Sequence, residues 1–384
     1  MSERPKIDET TTREFLSTLF EDDVHARRVW SLADGVLGVM SAASLAVHAI
    51  GQGLALAKEL VPRHAVKQVD RMLSNRGIDV WALFSRWVPY LVAEREEIVV
   101  ALDWTDFDAD QQSTLAAYLL TSHGRATPLM WKTVDKSELR DRRNDHEDAL
   151  LCRLREVMPP HVHVTILADR GFGDQKLYEL LSSLHFDYVI RFRGSILVGD
   201  GKGETKPASE WVSPTGRPKR LLAAEVTQER YVVPQVVCVK APRMKDAWCL
   251  AASLGEFTAS EVVKLYGKRF TIEEGFRDAK DIHFGMGLSA TRVSSPGRRD
   301  RMLLLSALAT VLLTLLGAAA ESLGMDRLLK VNTVKRRTHS LFRQGSYWYM
   351  ALPTMRASWF EPLMQRFAQL LDEQSLFREL FGVI

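Results

Sequence analysis

The sequence predicts an α/β fold, a mixed sheet layered with helices and flanked by helical regions at both ends. Three observations predict it. Two strand-forming runs, 98–102 and 162–168, each lead to an aspartate, Asp103 and Asp169. Strand patterns at 98–103, 115–121, 126–134 and 188–192 are followed or separated by helical ones, as in a layered α/β architecture. Residues 1–92 carry apolar recurrence every three to four residues at 27–45 and 63–73, and the stretch after Lys280 reads as helical.

Taken in order, residues 1–92 read as a small all-helical domain. Segments 27–45 and 63–73 carry the helical period, with Ser44 and Asn75 as breaks. Arg63, Lys67, Arg71 and Arg76 give this region exposed-type cations. Its first fifteen residues lack an apolar core and do not read as a signal peptide. Residues 93–284 form the second unit. After the strand patterns at 98–103, 115–121 and 126–134 comes a charged helix over about 137–157, then the strand to Asp169, a helix, and the strand 188–192. Between Asp169 and Glu273 lies far more chain than one strand and one helix need. A β-rich insertion at about 194–250 fills it, marked by RLLAAEV, RYVVPQVVCVK and WCLAASL. Gly199, Gly201 and Gly203 precede no helix pattern and read as a hairpin turn, not a phosphate loop. Residues 285–384 form a helical region that completes the core. Within it, 302–320 is free of charge and long enough to span a membrane. Its Ser306, Thr310, Thr314 and Gly317, and the absence of a second span, favour a helix buried in protein on all sides.

The chemistry concentrates in LYGKRFTIEEGFRDAKD, where Tyr266, Arg269, Glu273 and Lys280 recur as Tyr-x2-Arg-x3-Glu-x6-Lys. On one continuous helix at roughly 100° per residue, the last three fall at about 300°, 340° and 320° from Tyr266. All four then share a stripe about 60° wide, beside an apolar stripe of Leu265, Ile272, Phe276 and Ala279. A carboxylate flanked by two cations and a phenol suits a phosphate. Asp103 and Asp169 at strand ends, with Glu273 from a helix, form a set of hard oxygen donors for two Mg²⁺ or Mn²⁺ ions. Glu274 falls off the stripe. Asp106 is left open as an auxiliary ligand, while Asp108 and Asp110 lie further along. His161 and His163 lack a third partner and read as structural, and His123 reads as turn chemistry. Cys152, Cys238 and Cys249 have neither metal-ligand spacing nor an even count, which fits a reducing cytosol.

These motifs resemble those of the DDE transposases of bacterial insertion sequences, in the insertion-sequence-four group with the Tyr-Arg-Glu-Lys signature. The resemblance runs through LDWTDF around Asp103, LADRGF around Asp169, LYGKRFTIEEGFRDAK around Glu273, and NTVKRR at 332–337. It covers about residues 65–340. It implies a ribonuclease-H-like core in which Asp103, Asp169 and Glu273 bind the catalytic metals and Tyr266, Arg269 and Lys280 contact DNA. It implies cut-and-paste transposition through a hairpin intermediate, with Trp248 at a position associated with a flipped-out base. Phe270 stands where some relatives carry Trp. Trp248 is equally a plausible core residue. The partners implied are double-stranded DNA, as terminal repeats and target, and a second copy of the chain in a synaptic homodimer. No membrane partner is expected, and the location implied is the bacterial cytoplasm, with the nucleoid. Residues 1–92 become the expected DNA-end-binding domain, and 285–384 the expected site of dimerisation and further DNA contact.

A net charge of +3 over 384 residues does not by itself mark a nucleic-acid-binding protein. DNA binding must rest on local clusters, such as Arg292, Arg298, Arg299 and Arg301, or Lys335, Arg336 and Arg337. Three readings compete with a transposase. A ribonuclease-H-like nuclease without joining activity would use the same acids. An inactive transposase-derived DNA-binding protein would need none of them, and a membrane-anchored protein would use 302–320 as a span.

Overall fold

The computed structural model describes residues 7–121, 125–283 and 285–372. His123 lies outside them. Five helices come first: α1 (Glu9–Phe20), α2 (Ala26–Ala42), α3 (Val47–Lys58), α4 (Pro62–Ser74) and α5 (Val80–Val92). Asp8 caps α1 and Asp79 caps α5, each accepting hydrogen bonds from first-turn backbone N–H groups, while Pro62 opens α4 where no intrahelical donor is lost. Helices α2 and α3 meet at a sharp bend and pack closely enough to require glycine. A Cβ on Gly38 would lie 2.6 Å from the Ile50 carbonyl oxygen.

The core then alternates. Strands β1 (Glu97–Phe107), β2 (Gln112–Leu119) and β3 (Thr127–Asp135) form an antiparallel meander. Helix α6 (Arg143–Val157) crosses back to β4 (His163–Ala168), and α7 (Gln175–Ser183) to β5 (Asp187–Phe192). Strand β4 lies parallel to both β1 and β5, the pairing that helical crossovers permit. Strands β6 (Leu197–Gly199), β7 (Thr205–Pro207), β8 (Lys219–Val226), β9 (Tyr231–Val239) and β10 (Trp248–Ala252) follow. The resulting ten-stranded sheet has the order β3-β2-β1-β4-β5-β10-β9-β8-β6-β7. The β-rich insertion is therefore an extension of the core sheet: β10 pairs with β5 on one side and β9 on the other. The glycine-rich turn closes the β6–β7 hairpin, with Gly201 and Gly203 at positive φ.

Helices α8 (Ala259–Gly267) and α9 (Thr271–Lys280) lead into α10 (Pro296–Ser322), then α11 (Leu341–Ala351) and α12 (Ala357–Asp372). Helix α10 is the long apolar helix, and 89% of its most apolar window is buried within the protein. It packs on α2, α4, α5 and β3 on one side and on α11 and α12 on another, so the helical ends and the sheet share one continuous core. Its contact with α11 is backbone-close: a Cβ on Gly317 would lie 1.9 Å from the Leu341 carbonyl oxygen, and one on Gly345 1.7 Å from that of Leu313.

Three of the arginines proposed as an open basic cluster instead fasten this helix. Arg299 is fully buried, its Nε donating to Gln112 at 2.7 Å and its Nη2 paired with Asp110. Arg301 donates to the carbonyls of Leu73 and Ile78, and Arg298 pairs with Asp70 of α4. Arg292 is exposed but bonds the Ala109 carbonyl. A buried guanidinium must spend its donors on protein acceptors, so these residues join helix to sheet. In the other cluster, Lys335 and Arg336 are exposed, and Arg337 pairs with Glu321.

Candidate active site

The register of β1 against β4 builds the first half of the site. Leu102 pairs with Ala168 at the end of β4, so the next residues, Asp103 within β1 and Asp169 just past β4, are brought to the same edge. Strand β1 does not end at Asp103. It runs four residues further, because 104–107 pair with 112–115 of β2. Asp169 leaves its strand in a tight turn, its Oδ1 accepting from Gly171 N at 2.7 Å. Asp103 Oδ1 accepts from Trp104 N at 2.9 Å. Burial raises the Asp103 pKa, Arg269 works against that, and the like charge of Asp169 adds to the rise. Two carboxylates in mutual repulsion attract cations.

The second half departs from a continuous helix. Helix α8 starts at a capping box, in which Thr258 and Glu261 exchange hydrogen bonds, and it ends at Gly267. Residues 268–270 form a 3₁₀ turn before α9 begins. A 3₁₀ turn advances by about 120° per residue against about 100° in an α-helix, so three residues rotate α9 by about 60° relative to an unbroken wheel. The expected stripe is thereby split. Tyr266 is buried, edge-on to Trp248 with ring centres 5.0 Å apart, and Phe270 packs on the same indole at 5.8 Å. Trp248 is thus part of an aromatic cluster at the sheet edge of α8, and it remains partly accessible.

Arg269 turns inward. Only 7% of its side chain is exposed; Nη1 donates to Asp103 Oδ2 at 3.2 Å and Nη2 lies 3.6 Å from Glu273 Oε1. Burial works to lower its pKa, but Tyr266, Asp103 and Asp169 outweigh burial and hold it charged. Glu273 turns outward, with 59% of its side chain exposed. Lys280 reaches β1 beyond Asp103, donating to Thr105 Oγ1 at 2.9 Å and to the Asp106 carbonyl at 2.8 Å. Burial lowers its pKa. Asp106 pairs with Lys136 at 3.3 Å, and Glu274 is held by Arg125 and Arg277. Neither competing acid approaches Asp103 as Arg269 does.

Asp103 and Asp169 open into a cleft of about 550 Å³, whose wall also carries Lys136, Arg143, Arg170 and Arg193. Sequence reasoning missed these four cations. Arg170 directly follows Asp169 and was legible by adjacency; the others arrive from α6 and from loops whose placement no period encodes. The donor chemistry suits a hard divalent cation at the aspartate pair. Among the described residues no three acidic, histidine or cysteine side chains converge closely enough to hold one as they stand. The Arg269 guanidinium lies between Asp103 and Glu273, neutralising both.

Residues 94–312 match the family model of the transposase DDE domain, which covers more than half of the chain. The protein belongs to the DDE transposase family: it is a phosphoryl-transfer enzyme that acts on DNA, in a family that generally uses divalent metal ions. The mixed sheet with helices on either flank is compatible with the ribonuclease-H-like core of that class. A search among curated proteins found no match.

Proposed function

We propose that this transposase belongs to the insertion-sequence-four group with the Tyr-Arg-Glu-Lys signature, its motifs resembling those of the transposase of the tetracycline-resistance transposon. It moves its element by cut-and-paste. The observation that carries this reading is the placement of Asp103 in β1 beside Asp169 at the end of β4, with Glu273 linked to Asp103 through Arg269.

Asp103, Asp169 and Glu273 are the metal ligands, for two Mg²⁺ or Mn²⁺ ions. When bound, such ions lower the pKa of the attacking water or 3′-hydroxyl and stabilise the leaving 3′-oxygen. With metal held by those acids, Arg269 would be free to turn its fork from Asp103 and Glu273 to a DNA phosphate, and Lys280 would offer a point charge nearby. Tyr266 supports the indole of Trp248 and donates to a phosphate oxygen once the aromatic cluster opens. Cleavage followed by attack of the freed 3′-hydroxyl on the opposite strand forms a hairpin. Trp248 then offsets the stacking lost by the unstacked base, by about 1–3 kcal/mol.

Residues 1–92 bind the element's ends. Helix α4 supports this, since Arg63, Lys67 and Arg71 lie on its outer, solvent-facing side. The ribonuclease-H-like core spans 93–284, and the region from 285 to 384 contributes to a synaptic homodimer, with Lys335 and Arg336 as further DNA contacts. The protein works in the bacterial cytoplasm.

The decisive experiment incubates the purified protein with Mg²⁺ and DNA bearing the ends of its own element, resolved on denaturing gels. Nicks, hairpins and joined products are expected in that order. Nicks without joined product would favour a nuclease lacking strand transfer, and no cleavage would favour an inactive DNA-binding descendant. Trp248→Ala is expected to spare the nick and slow the hairpin. Equal loss of both products in a variant with a lowered melting temperature would assign Trp248 to the core instead.

A further inference from the structure

Arg143 opens α6 beside the residues that follow each aspartate. Its guanidinium carbon lies 5.2 Å from the ring centre of Trp104, which follows Asp103, and 6.0 Å from that of Phe172, three residues past Asp169. Its Nε donates to Glu147 Oε1 at 3.1 Å, one helical turn on, and the same oxygen accepts from Trp104 Nε1 at 2.7 Å. Glu147 is buried, its side chain 5% exposed, while that of Arg143 is 47% exposed. The inner edge of the guanidinium is thus fixed by a buried carboxylate, with two aromatic rings alongside.

The outer edge is left over. An arginine serving only to neutralise Glu147 would do so best with two parallel hydrogen bonds through its fork. Here Nε alone is used, and Nη1 and Nη2 make no hydrogen bond to protein among the described residues. Arg143 lines the same cleft as Asp103 and Asp169. Gly171 keeps that approach open, since even a Cβ there would lie 3.7 Å from Arg143 Nη2 and 3.0 Å from Asp169 Oδ1.

We propose that Arg143 is a further DNA-binding residue of the catalytic cleft, its fork taking a backbone phosphate of the strand being cut, with Glu147 as its positioning residue. This rests on reading the cleft as the site of DNA phosphoryl transfer. Glu147 also holds the Trp104 ring, so one carboxylate sets both the phosphate contact and the residue next to Asp103. A phosphate on Arg143 is thereby kept in fixed relation to the aspartates, which is what positioning for in-line displacement requires.

The test uses the full chain and a fluorescent duplex carrying the inverted repeat that flanks its coding sequence. Binding is measured by anisotropy over a salt series without divalent metal, cleavage by single turnover with Mg²⁺, and folding by melting temperature. Arg143→Gln is expected to reduce the slope of log affinity on log salt by about 1 and to slow cleavage, with a lowered melting temperature because the buried Glu147 carboxylate loses its cation. Arg143→Lys should keep the slope, because the charge remains, yet cleave more slowly because a point charge cannot fork. Glu147→Gln should leave the slope unchanged and slow cleavage. A wild-type slope and rate in Arg143→Gln overturns the proposal, as does a lowered melting temperature with an unchanged slope. If Arg143→Gln does not fold, wild-type cleavage by Arg143→Lys overturns the fork. Asp103→Asn separates the two readings: cleavage by that variant would refute the cleft as the reacting site, whereas its inactivity beside a normal Arg143→Gln would remove Arg143 alone.

Discussion

The two halves of the site are built by different means. Asp103 lies within β1 and Asp169 is the first residue past the end of β4, so the register that pairs Leu102 with Ala168 sets where each begins. Glu273 belongs to a short helix that follows a 3₁₀ turn, and its carboxylate is exposed and reaches Asp103 only through Arg269. One half is set by backbone pairing; the other depends on a side-chain arrangement that can change. Geometry shared by neighbouring strands needs no ligand to form, whereas the proposed role of Glu273 requires its helix-borne carboxylate to be drawn in.

Alanine at any of the three acids is the strongest way to break this comparison. Each of Asp103→Ala, Asp169→Ala and Glu273→Ala is expected to abolish cleavage in Mg²⁺ while leaving DNA binding largely intact. Glu274→Ala should be far milder, since Arg125 and Arg277 already hold that carboxylate. Full activity in any of the three would overturn the ligand assignment.

Changes of length by one methylene sharpen the comparison. Asp103→Glu alters a position fixed by the sheet and is expected to lose cleavage on the order of 10²-fold, as for a displacement of about 1 Å at a reacting centre. Glu273→Asp shortens the adjustable half and should lose less. Measured in Mn²⁺ under single turnover, the reverse order would show that the helix is the rigid partner.

Arg269→Ala probes the link between the halves. Without the guanidinium, Asp103 keeps only the Trp104 N–H bond against burial, so its pKa should rise further. Mn²⁺ binding requires the deprotonated carboxylate, so the acid limb of binding should move to higher pH. At pH well above that limb, affinity should increase, because no internal cation competes for Asp103 and Glu273. Mn²⁺ titrations across pH, followed by electron paramagnetic resonance, check both directions.

The smallest expected effect lies on the back of α9. Burial pushes Asp278 up to about 6 from 3.8, although Arg125 lies 3.3 Å away. A folded-state pKa above the unfolded value means that stability falls as pH rises from about 4 to about 6, by up to about 2–3 kcal/mol for this group. Asp278→Asn should flatten that window. Its stability relative to wild type, measured by denaturant melts, should therefore be greater at pH 7 than at pH 4.

How much of this was legible follows the same division. Asp103 and Asp169 stood out because each follows an apolar run suited to a strand buried on both faces, a short-range signal. The break at 268–270 is marked only by the single Gly267 before it, which helices tolerate, and hides inside an intact apolar period, so one continuous wheel runs through it. The insertion was legible as β-structure from composition. Its fusion to the core sheet was not, because the pairing of β5 with β10 joins residues some sixty positions apart. The arginines at 298, 299 and 301 resemble a DNA-binding patch, since a sequence does not reveal that Asp70, Asp110 and Gln112 will meet the first two and the Leu73 and Ile78 carbonyls the third.

That fusion has a mechanical consequence. From Val189 in β5 through Ala252 in β10 to Gln235 in β9, the same backbone ladder continues from the catalytic strands into the insertion. Swinging the insertion aside would rupture several such bonds, each contributing about 0.5–1.5 kcal/mol net. It therefore behaves as a cantilever, not a hinged flap, and transmits load to β4 and Asp169 instead of yielding.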